Sequence, residues 1–91
     1  MLKSVRAIVS GEVQGVGFRY FVLRAAAGFK VAGFVRNLQD GTVEIGAEGE
    51  REELERFLDA VKLDDGFIRV AAIASEWGES EGKFKSFGLR R

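Results

Sequence analysis

The chain has 91 residues, 46% of them apolar, and fourteen Asp and Glu balance fourteen Lys and Arg. A chain this short buries only a modest core, and its neutral charge speaks against a broad electrostatic footprint for nucleic acid or an anionic membrane. Cysteine and histidine are both absent, which excludes disulfides, thiolate nucleophiles, Ser-His-Asp catalysis, phosphohistidine chemistry and zinc held by thiolate or imidazole.

The opening MLKSVRAIV is too short an apolar run for a signal peptide or a membrane span. By elimination the expected location is the cytoplasm. No repeat or composition shift divides the sequence, so one domain over residues 1–91 is expected. Residues 3–13 are rich in β-branched side chains and read as a strand, with Ala7, Ile8 and Val9 pointing to burial on both faces. A glycine-rich stretch follows. Phe18, Phe21, Val22, Ala25 and Phe29 then recur at helical spacing, which predicts an amphipathic helix over 19–28 with Gly28 as its stop.

Residues 31–49 read as a hairpin turning at Asp40-Gly41. In its second arm Val43, Ile45 and Ala47 alternate with Glu44, Gly46 and Glu48, the pattern of a half-buried strand. Residues 50–63 give the clearest helix: Leu54, Phe57, Leu58 and Val61 form a stripe, and acids crowd the first turn. Residues 68–77 read as a further strand and 84–90 as a short last one. The order β-α-β-β-α-β, with a possible extra strand, predicts an α+β, ferredoxin-like split βαβ fold: an antiparallel sheet with both helices on one face.

The segment Gln14-Gly15-Val16-Gly17-Phe18-Arg19 lies between the first strand and the first helix. Glycine there lets backbone N–H groups turn inward, and a helix start adds free N–H groups and the positive end of the dipole. The spacing fits neither a Walker A loop nor a dinucleotide fingerprint, so a compact anion such as a phosphoryl group suits it best. The Arg19 guanidinium would pair bidentately with phosphate. By itself Arg19 reads equally well as a surface arginine beside an ordinary turn. Asn37, just before the hairpin turn, can donate to and accept from a water or a substrate oxygen; by itself it also reads as a residue serving the turn. Arg36 falls on the opposite face of its strand as a solvated charge. Tyr20 and Trp77 could stack on a ligand, but core or rim packing is the stronger reading of both. The acids at 50–55 and Asp64-Asp65 read as a solvated helix face and a turn, not as metal ligands.

VSGEVQGVGFR, then GFVRN, then DGTVEI resemble the acylphosphatase family. The first segment resembles its G-x-V-Q-G-V-x-F-R signature and the second its G-aromatic-V-x-N signature. The likeness covers nearly the whole chain, although DDGFIRVAAI lacks the Gly-Pro of many members. It implies hydrolysis of acyl phosphates to a carboxylate and inorganic phosphate. Gln14 through Arg19 would hold the phosphate and Asn37 would orient the attacking water. It also implies no cofactor, no metal and no covalent intermediate, with inorganic phosphate as product and inhibitor. Neither Arg19 nor Asn37 titrates near neutral pH, so the site lacks an evident acid. A carboxylate leaving group, whose conjugate acid has a pKa of about 4–5, needs none. The alternatives are a non-catalytic phosphate-binding module and an RRM-like RNA-binding module. Against the latter, the third strand carries no stacking aromatics and the chain no net positive charge.

Overall fold

The computed structural model describes residues 2–91. Its elements run β1 (Leu2–Glu12), α1 (Phe18–Ala26), β2 (Val31–Asn37), β3 (Val43–Glu50), α2 (Arg51–Ala60), β4 (Arg69–Glu79) and β5 (Phe87–Arg90). The strands form one sheet in the order β4-β1-β3-β2-β5. The first four pair antiparallel as expected. The short β5 adds to β2 in parallel, which makes the sheet mixed. α1 ends two residues earlier than its pattern predicts, because Ala27, Gly28 and Phe29 already bond back only three residues, to Arg24, Ala25 and Ala26.

Alternation decides which face is covered. Val5, Ala7 and Val9 of β1 lie beside Ala47, Ile45 and Val43 of β3, and all six are buried. Phe18, Val22 and Ala26 of α1 and Leu54, Phe57 and Leu58 of α2 complete this core. Each large side chain so buried contributes about 1.5–3 kcal/mol before ordering costs. The ring of Phe57 meets Phe87 edge-on at 5.4 Å, so β5 is bound to the helical layer as well as to β2. On the helix surface the i,i+4 pairs Arg51–Glu55 and Arg56–Glu52 are exposed and add little.

β3 departs from its half-buried expectation. It is central, and seven of its eight residues, Val43 to Gly49, are buried, including Glu44 and Glu48. Its second face is covered from two sources. Arg6 of β1 and Arg36 of β2 both donate from Nε to the Glu44 carboxylate. The chain between β4 and β5 crosses the same face, where the backbone N–H groups of Glu81 and Lys83 donate to Glu48 at 2.8 and 3.0 Å, with Phe84 N–H farther off at 3.4 Å. Phe84 also packs on Phe34, ring centroids 5.8 Å apart. Arg36 is thus on the predicted face but ion-paired, and alternation along β3 could not reveal a cover supplied by residues 80–84.

Burial pushes the Glu48 carboxyl up, but the hydrogen bonds from Glu81, Ser80, Phe84 and Lys83 outweigh it and leave the pKa below its ordinary 4.5. A depressed folded-state pKa contributes stability that is complete above the unfolded value and is lost as pH falls through the folded one. Wild type and Glu48→Gln are therefore expected to differ most in urea midpoint at neutral pH and to converge below pH 4.5. Parallel midpoint curves across that range would show that Glu48 gains nothing from ionisation in the fold.

Candidate active site

The register of β3 brings the predicted residues to one end of the sheet. Val43, its first residue, lies opposite Val9 of β1 and opposite Asn37 of β2. β1 and β2 therefore run in the same direction and finish at the same edge, two strand spacings apart, or about 10 Å. The glycine loop that continues β1 and the asparagine that ends β2 emerge side by side. β5 runs with them, and its Arg90 stands beside Arg36.

The loop is bent by Gly15 and Gly17, which have φ of 72° and 82°. A Cβ at either position would meet nothing within 4 Å, so glycine is required by the backbone conformation and not by crowding. Gly17 is also the N-cap of α1. It offers no side-chain cap, and the first turn carries no acidic residue. The helical ladder starts only with the bond from Phe21 N–H to Gly17 C=O, at 3.0 Å. The N–H groups of Phe18, Arg19 and Tyr20 precede it and are left for another acceptor. α2 is built differently, with Glu52 and Glu53 in its first turn. Phe18 fixes the loop from beneath: it is 1% exposed and its ring lies 6.3 Å from that of Phe21.

A cavity of about 220 Å³ opens at this point, lined by Val13, Gly15, Gly17, Phe18, Arg19, Tyr20 and Asn37. Arg19 and Asn37, eighteen positions apart in sequence, face one space. Arg19 is aimed by β5: its Nη1 donates to the Arg90 carbonyl oxygen at 3.0 Å. Asn37 Oδ1 is buried and has no hydrogen-bond partner among the described residues. An unsatisfied buried acceptor costs about 1–3 kcal/mol, which a bound donor would recover. With the free helix N–H groups and the guanidinium, the cavity presents donors to an anion, and Asn37 in its wall keeps an unpaired acceptor just beneath the surface.

Gln14 and Val16 do not line the cavity. The Gln14 side chain is committed elsewhere: both Nε2 protons are donated across to the β2–β3 turn, to Leu38 O at 2.7 Å and Thr42 O at 2.8 Å. Only its backbone remains for an anion. The turn it grips is itself braced, since Asp40 accepts from the Thr42 hydroxyl and from the Thr42 N–H. Those two bonds hold the Asp40 carboxyl below its usual range. Sequence reading missed this clamp and the Arg90 contact. The targets of Gln14 and Arg19 are carbonyl oxygens, which every residue carries, so no residue type marks them.

Comparison with known proteins gives the family and the fold. A family model described as Acylphosphatase matches residues 5–89. An acylphosphatase from Bacillus licheniformis is 46% identical over 84 residues, covering 92% of this chain and 93% of its own. One from Methanospirillum hungatei is 45% identical, with 99% of both chains covered. The crystal structure of acylphosphatase from Bacillus subtilis superposes with a TM-score of 0.91 at 44% identity, over the full length of both. A family model over most of the chain, relatives above 40% identity along nearly their whole length and a shared fold show that the chain belongs to the acylphosphatase family, hydrolases of acyl phosphates.

Proposed function

We propose that the cavity binds the phosphoryl group of an acyl phosphate and that Asn37 orients the water that attacks it. The observation that carries this reading is the start of α1. It has no side-chain cap and no acid, yet an arginine sits in its first turn. A cation there opposes the helix dipole, and like the free N–H groups it calls for an anion between them. The amides of the loop from Gln14 through Arg19 would surround the phosphoryl oxygens, with the Arg19 guanidinium pairing two of them.

The Asn37 carbonyl oxygen would accept a hydrogen bond from a water placed on the phosphorus face opposite the acyl oxygen. The water oxygen bonds to phosphorus as the P–O bond to the acyl group breaks. The bonding pair leaves with the carboxylate, and the water's proton passes to a phosphoryl oxygen. Atoms and charge balance without a protein acid, base, metal or covalent intermediate, because the leaving group is already a weak base. Catalysis then rests on position and charge stabilisation.

Hydrolysis of benzoyl phosphate in EDTA tests the reading. Wild type is expected to turn over, with competitive inhibition by inorganic phosphate. Arg19→Ala and Asn37→Ala are each expected to lose on the order of 10²–10³-fold in kcat/KM. Phosphate should raise the thermal midpoint of wild type and leave that of Arg19→Ala unmoved. Wild-type turnover no faster than the spontaneous rate overturns the assignment. Full activity in Asn37→Ala overturns only the role given to the water.

Gln14 acts on the same reaction from outside the cavity. Its clamp ties the phosphate-holding loop to the turn that follows Asn37, and so sets the distance between phosphorus and water. Gln14→Met keeps the side-chain length and removes both donors. Its kcat should fall about ten- to a hundredfold, the scale of a small misplacement of reacting groups. The inhibition constant of phosphate, which needs no water in place, should stay within about twofold of wild type on the same ground. An equal loss in both would assign Gln14 to phosphate binding instead.

A further inference from the structure

We infer that Tyr20 is the acyl-group platform of this site and sets its preference for substrates with aromatic or bulky acyl chains. The inference rests on the phosphate-binding reading above and names the part of the substrate that reading leaves unplaced. An acyl phosphate has two ends, and the donors around the cavity serve only one of them. In-line displacement fixes the direction of the other, since the acyl oxygen departs opposite the attacking water. Asn37 Oδ1, which would hold that water, is fully buried. On the reading above the water lies against Asn37, a half-buried residue of the cavity wall, and the acyl group would point away from it toward the exposed rim.

Among the described residues that line the cavity, one offers a large accessible apolar surface. Val13 and Phe18 line the cavity but are each 1% exposed and belong to the core. Gly15 and Gly17 have no side chains, and Arg19 and Asn37 are polar. Tyr20 lines the same cavity and is 57% exposed. It is the third residue of α1, and helical side chains lean toward the N-terminus, which here is the rim of the cavity.

The fold gives Tyr20 no other employment. Among the described residues its ring joins none of the aromatic pairs and its hydroxyl makes no hydrogen bond. A large ring more than half exposed at a helix start, where an acidic residue would suit the dipole better, gains little from burial. Beside a phosphoryl site it offers a face for an acyl group to stack on.

Two non-hydrolysable probes separate this inference from the catalytic reading. Phenylphosphonate and methylphosphonate share the anionic head and differ in the group that would meet Tyr20. The thermal midpoint, titrated with each, reads binding without turnover. Wild type should bind phenylphosphonate more tightly. Tyr20→Ala should cut that preference about three- to tenfold, the range of one aromatic contact, while Tyr20→Phe should keep it. Methylphosphonate affinity should be the same in all three proteins. The ratio of kcat/KM for benzoyl over acetyl phosphate should fall in parallel. An unchanged phenyl preference in Tyr20→Ala overturns the inference and leaves the catalytic reading intact. Equal losses for both phosphonates would place Tyr20 in phosphate binding and also overturn it. Intact phosphonate binding without hydrolysis would instead overturn the catalytic reading alone. Alanine is the strongest helix former, so the variant at this exposed position is expected to fold.

Discussion

The site depends on the register of the central strand. Val43 begins β3 opposite both Val9 and Asn37, so two strands from distant parts of the sequence end together. A one-residue slip of β3 would turn Val43, Ile45 and Ala47 out of the core and Glu44 and Glu48 into it. The hydrophobic layer that stabilises the fold therefore also fixes the alignment of the loop with Asn37. The register need not be specified twice.

Around that register the polar contacts divide into two groups. Glu44 between Arg6 and Arg36, and Glu48 under the crossing chain, hold the face remote from the helices. Replacing such paired carboxylates by apolar groups is often neutral, whereas removing one partner alone is costly. Gln14 to the β2–β3 turn and Arg19 to Arg90 hold the end of the sheet where the cavity lies. The second group spends one donor of Arg19 and leaves the helix N–H groups and the buried acceptor unspent. The crossing chain links the two groups, because residues 80–84 lead into β5, and β5 carries the carbonyl that aims Arg19.

The two helix starts state the electrostatic design. α2 satisfies its dipole with its own acids, Glu52 and Glu53. α1 leaves its dipole open and adds a cation. A protein whose acids and bases balance overall thus holds a local positive site, and net charge was uninformative about it.

Much of this was legible in the sequence. Period and turn chemistry determined the elements, because Ala7, Val9, Val43, Ile45, Leu54 and Phe57 mark a buried face by spacing alone. Gly15, Gly17, Arg19 and Asn37 were legible as candidates, since each is a residue type with a local conformational or hydrogen-bonding consequence. The two linked motifs also gave the family. Only the tertiary structure decided the burial of Glu44 and Glu48, the parallel addition of β5, the clamp made by Gln14 and the placing of Tyr20 at a rim. Each of these depends on what another segment brings alongside, often a backbone carbonyl or N–H. Spacing along one segment records which way a side chain points. It does not record what arrives from the far end of the chain to meet it.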